Sequence, residues 1–155
     1  QLLLVLQVNG AADYSDGLAA LLLCPDPLAT LWKLPVTATL LRPMPLDVDA
    51  LASELPLFWQ TQTAALCATA VLADAESWQP VMTQLVTTGR AQGAQLEVEQ
   101  QWVQERFCGL AGPLGHWLVT ALGVEVSRHQ QRPLMLLATE KNRQWISTVT
   151  HKELA

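Results

Sequence analysis

Charged residues are scarce in this sequence. Asp, Glu, Lys and Arg make up 15% of the 155 residues, against a usual share of about 25%. Among the aromatics one Tyr and two Phe stand beside six Trp. Only Cys24, Cys67 and Cys108 carry thiols. They are too few and too far apart for a disulfide framework and read as buried free thiols, so the expected compartment is the cytoplasm. The longest apolar run, residues 64–73, is broken by Thr69 and falls well short of the ~18–20 residues a membrane span needs. Residues 2–6 form an apolar run with no basic leader, which reads as a strand and not as a signal peptide. There is no Gly-rich phosphate loop ending in Lys-Ser/Thr, no Gly-x-Ser-x-Gly elbow and no paired Cys/His zinc spacing. Neither a cofactor nor a metal is therefore expected.

Hydrophobic residues make up half of the chain. A chain of this length buries roughly 70% of its unfolded surface, so one globular domain needs no disulfide or metal to fold. Such a domain either has a large core or leaves apolar surface for a partner. The net charge of −5 argues against nucleic acid, whose binders displace counterions with a basic face. Residues 1–89 hold eight acids and two bases, whereas residues 90–155 hold six acids and seven bases. A locally basic stretch contains Arg128, His129, Arg132, Lys141 and Arg143.

Local patterns divide the chain into short elements. Residues 2–8 read as a buried strand stopped by Asn9-Gly10, and residues 16–24 as a short helix. Asp26-Pro27 opens a helix to about Leu34, and residues 36–41 alternate like a strand. Asp47 caps a helix over residues 48–55 that Pro56 stops, and residues 64–73 favour a strand. A helix over residues 78–88 follows, with Pro80 in its first turn and Gly89 as its stop. Residues 93–109 begin as a strand and turn irregular. Gly112-Pro113 opens a helix ending at Gly123. Strands at 124–128, 133–139 and 144–150 complete a C-terminal three-strand meander. The expected fold is therefore a single α+β domain, with a mixed or antiparallel sheet and helices packed on one side.

Two groups of residues are candidates for function. Phe58 and Trp59, after Pro56-Leu57, read as an exposed apolar anchor, and Arg128 and Arg132 as polar contacts beside an edge of the meander. Alternatively Asp13, Asp16, Arg106 and His116 close a Trp-lined pocket. Asp13-Tyr14-Ser15-Asp16-Gly17-Leu18-Ala19 is similar to a short segment of thiamine-monophosphate kinases, where such acids help bind nucleotide and metal. The likeness covers seven residues, and that family's other acidic and glycine-rich motifs are absent. A turn followed by a helix cap uses the same residue types. His116 at a helix entrance is a possible base, and Arg106 a cation near Cys108.

The absence of a catalytic signature and the surplus of apolar and Trp residues favour a small non-enzymatic accessory protein. It would be a subunit, adaptor or chaperone-like domain that binds another protein or itself, with a homodimer as the simplest case. The alternative is a small-molecule-binding domain or enzyme using Asp13, Asp16 and His116.

Overall fold

A computed structural model describes residues 1–8 and 13–152. The expected Asn9-Gly10 turn lies outside them. The chain is a single α+β domain built on a mixed sheet of six strands. Before the sheet begins, β1 (Leu2–Gln7) and β2 (Gly17–Leu22) pair antiparallel as a separate hairpin. The helix expected over residues 16–24 is thus a strand. Leu18, Ala19, Ala20, Leu21 and Leu22 include no polar residue, so neither a period of 2 nor one of 3.6 shows in the sequence.

α1 (Asp26–Leu31) follows with Pro27 in its first turn, as expected. The sheet then takes β3 (Ala38–Leu40), β4 (Met44–Pro45), β5 (Ala70–Ala73), β6 (Gln101–Val103), β7 (Leu134–Glu140) and β8 (Arg143–His151). Its order is β3-β8-β7-β5-β6, with β4 also paired to β8. β5 runs parallel to both β6 and β7, while β8 runs antiparallel to β7 and β3. β7 and β8 form the expected C-terminal hairpin, closed by Lys141-Asn142, both with positive φ. Two left-handed residues in succession are what a tight twisted hairpin demands.

The first strand of the expected meander, residues 124–128, is helical instead. It belongs to α5 (Gly115–Gln130), whose buried residues Gly115, Val119, Thr120, Gly123 and Ser127 recur at helical spacing. Gly123 reads as a stop but serves as a contact, since a Cβ there would lie 2.5 Å from Leu136 Cδ2. The third antiparallel strand comes from upstream, as β3.

Helices cover both faces of the sheet, where one side was expected. α2 (Leu51–Thr61) and α3 (Gln79–Ala91) pack with Val71, Ala73, Met135, Leu137 and Ile146 on one face. On the other, Val119 of α5 packs with Ala70, Leu72, Leu134, Leu136 and Val149. Alternate residues of β5 and β7 therefore enter opposite cores, which explains why Ala70–Ala73 and Leu134–Ala138 are apolar without a break.

Pro56 does not stop its helix. It sits inside α2, and continuing past it buries Phe58 and Trp59 on the stripe that Leu51 and Leu55 begin. An interior proline costs about 3 kcal/mol. Burying each of these two large side chains contributes roughly 1.5–3 kcal/mol, which offsets it. Gly89 likewise lies within α3, and the left-handed stop falls at Gly93.

Candidate functional site

The hairpin is where the apolar surplus surfaces. Among the described residues, fourteen large hydrophobic side chains are exposed, and ten of them lie within residues 1–34. The β1–β2 register pairs Leu2 with Leu22, Leu4 with Ala20 and Leu6 with Leu18. Directly opposite residues share a face, so these six line one side of the ribbon. Its five leucines are between 61% and 82% exposed. The other side carries Val5, Gln7 and Leu21, all buried, and rests on α5, where Gly17 approaches Leu118.

Gln7 fastens the ribbon to the body. Its Nε2 donates to the Ser15 carbonyl at 2.8 Å, and its Oε1 accepts the Leu114 N–H at 3.1 Å. Gly112 makes this possible, because a Cβ there would meet the Gln7 side chain, 2.5 Å from its Cδ. The Gly112-Pro113 pair thus has a packing role besides marking the approach to α5.

The expected anchor is buried. Phe58 is fully enclosed and Trp59 is 2% exposed, their rings meeting edge to face at 6.2 Å. A stop at Pro56 would leave them in a loop, whereas the continuing helix turns them into the core. Among the described residues Trp32, just after α1, is the one exposed tryptophan. Arg128 is exposed and pairs with Glu125 three residues back at 2.7 Å. Such a surface pair is worth little. Arg132 is exposed just beyond α5. Arg128 also borders an apolar groove of about 540 Å³ walled by Trp102, Phe107, Leu122 and Val126.

The four residues of the alternative pocket are not brought into one cavity. Asp13 is exposed. Asp16 lines a groove of about 500 Å³ between the hairpin and α5, with Leu118 and Leu122. Arg106 lies in α4 (Gln104–Cys108) and is held by Glu76, with Nη2 2.9 Å from Oε2. That pairing lowers the Glu76 pKa and raises that of Arg106. His116 lines a separate crevice of about 650 Å³ with Asp74, Ser77, Trp117, Glu140, Lys141 and Asn142.

The crevice lies outside the carboxyl ends of the parallel strands β5 and β7, between the segment after β5, the β7–β8 turn and the start of α5. The carboxyl ends of parallel strands are a usual place for ligands. Asp74 follows β5 and is 2% exposed. Burial raises its pKa, against hydrogen bonds from the Thr139 backbone and the Trp78 side chain. Burial also lowers the His116 pKa, against the pull of Glu140 and Asp74. Asp74 has no motif around it in the sequence. Its position after the apolar run Ala70–Ala73 is the signal that could have found it.

The expectation of buried thiols also fails, since Cys67 and Cys108 are exposed and Cys24 is half-buried, all three free. Among the described residues no three His, Cys, Asp or Glu side chains form a group able to hold a metal ion. No described helix is long and apolar enough to cross a membrane. Comparisons with protein families, with curated proteins and with solved structures gave no match.

Proposed function

We propose that this protein is a non-enzymatic accessory module that binds protein through the outer face of its β1–β2 hairpin. The observation that carries the reading is the row Leu2, Leu4, Leu6, Leu18 and Leu22, every one more than 60% exposed. Monomers rarely leave contiguous apolar patches beyond a few hundred Å² uncovered. Covering several hundred Å² contributes on the order of 10 kcal/mol at ~25 cal/mol per Å², before the cost of association. The free, partly exposed thiols support a reducing compartment such as the cytoplasm as its location.

The test is photo-crosslinking in cells, with a benzophenone amino acid replacing Leu22 on the hairpin or Leu57 on α2. Both positions are exposed. Position 22 is expected to give a discrete adduct with another polypeptide chain, and position 57 none. If position 22 yields only products within its own chain, the reading fails.

The His116 crevice supports a second reading, a small-molecule-binding domain. Its volume of about 650 Å³ suits a drug-sized ligand, and its two ionisable walls have pKa values pushed in opposite directions. Fragment screening by NMR would test it. Hits whose chemical-shift changes cluster at Ser77, His116 and Asn142 would support it, and a screen without such hits would remove it.

A further inference from the structure

We infer that the outer face of the hairpin is covered by the same face of a second copy of this chain. The inference rests on reading that face as a docking surface, and it adds the partner. Charge, size and shape each favour a second copy.

The chain carries a net charge of −5, and juxtaposing like charges across an interface is costly. None of Leu2, Leu4, Leu6, Leu18, Ala20 and Leu22 ionises, so two copies meet at this face without that penalty. The five leucines and the flanking Val8, itself 61% exposed, present several hundred Å² of apolar surface. That approaches the ~800 Å² each partner gives to a standard-size interface.

Shape gives the register. The rungs of the ribbon are Leu2–Leu22, Leu4–Ala20 and Leu6–Leu18, so the central rung alone joins a large residue to a small one. Consider a twofold axis parallel to the strands, midway between β1 and β2 and midway between two stacked ribbons. It sets Leu4 of each copy over Ala20 of the other, a projection over a hollow, twice. Leu2 then lies over the partner's Leu22, and Leu6 over the partner's Leu18. This reciprocity is what a closed isologous contact requires, and facing sheets ~10 Å apart leave room for leucines to interdigitate.

The test is sedimentation equilibrium with light scattering on the full chain, from micromolar to near-millimolar concentration. The wild type is expected to dimerise. Leu4→Ala removes the projection and Ala20→Leu fills the hollow. Each change occurs twice in the dimer, so each is expected to weaken it about a hundredfold. The double variant Leu4→Ala/Ala20→Leu exchanges projection and hollow and is expected to recover to within about tenfold of wild type. Unchanged circular dichroism would show that the variants keep their fold. A wild type that stays monomeric at near-millimolar concentration overturns the second copy. The docking reading survives that result if position 22 still crosslinks to a different protein. A dimer indifferent to all three variants also overturns the inference. Single variants that dissociate, with a double variant that does not recover, overturn the twofold register.

Discussion

Trp78 donates its indole N–H to Oδ1 of Asp74 at 2.8 Å, across the bend by which the chain leaves β5. Oδ2 of the same carboxylate accepts the Thr139 N–H at 2.7 Å. One buried side chain thus ties the end of β5 to the turn before α3 and to the end of β7. Trp78→Phe removes the donor and part of a fully buried ring. It is expected to cost about 2–4 kcal/mol in urea denaturation. Asp74→Asn keeps an acceptor and is expected to cost less.

The crevice should give the protein two pH dependences of opposite sign. His116 has its pKa lowered from 6.5 by burial, with Lys141 adding to that and Glu140 and Asp74 opposing it. Below the unfolded value the unfolded chain binds the proton more readily, so this contribution to stability is lost as pH falls below 6.5. His116→Gln should flatten that part of the profile. Asp74 has its pKa raised from 3.8, so the folded state holds that proton more tightly. Its contribution is lost as pH rises from 3.8 through the folded value, and Asp74→Asn should flatten the acid side. Urea midpoints across the pH range read both slopes. Unaltered slopes in the two variants would show that neither group matters in this way.

Gly89→Ala tests the packing of α2 against α3. In an open helix the change gains up to about 1 kcal/mol. Here the new Cβ would lie 2.8 Å from Cζ2 of the buried Trp59 ring and 3.1 Å from Leu96 Cδ1. A net loss of about 1–3 kcal/mol is expected from this overpacking. A gain in thermal denaturation midpoint would contradict it.

Phe58 and Leu22 should behave as opposites. Phe58→Ala is expected to destabilise by about 3–5 kcal/mol, because its ring is fully enclosed. Leu22→Ser replaces a side chain 82% exposed, and in dilute solution it should stay within about 0.5 kcal/mol of wild type. Comparing the two by chemical denaturation separates core from surface directly.

Cys67 and Cys108 are exposed and Cys24 is half-buried. Titration of the native protein with a thiol-reactive disulfide reagent should show two thiols reacting quickly and a third more slowly. Three equal rates would place Cys24 differently.

The α+β class, α1 and the C-terminal hairpin were legible because punctuation and period agreed there, whereas β1 was legible as a strand but not as one with an exposed face. Asp26-Pro27 and the polar turn between β7 and β8 each have a single good structural use. Legibility failed where residues were uniformly apolar or where punctuation served packing. Leu18 to Leu22 offered no polar contrast, and Pro56, Gly89 and Gly123 looked like stops. Each of these three is tolerated inside a helix by tertiary contacts that no local window contains. The same limit hid the candidate surface. An apolar strand alone does not say that its second face lacks cover, which depends on α5 lying about a hundred residues further on.

Among the described residues no strand hydrogen bond joins β1 or β2 to the six-stranded sheet. The hairpin holds to the body through the Gln7–Leu114 and Ser15–Leu110 bonds and the apolar contact with α5. An isolated two-stranded ribbon is marginal in water, so once lifted from α5 it would melt as a unit while the sheet stayed intact. Amide exchange over β1 and β2 should therefore share one opening free energy, well below that of β5 and β7. The lifetime of this ribbon is then set by whatever lies on its outer face as much as by the helix beneath it.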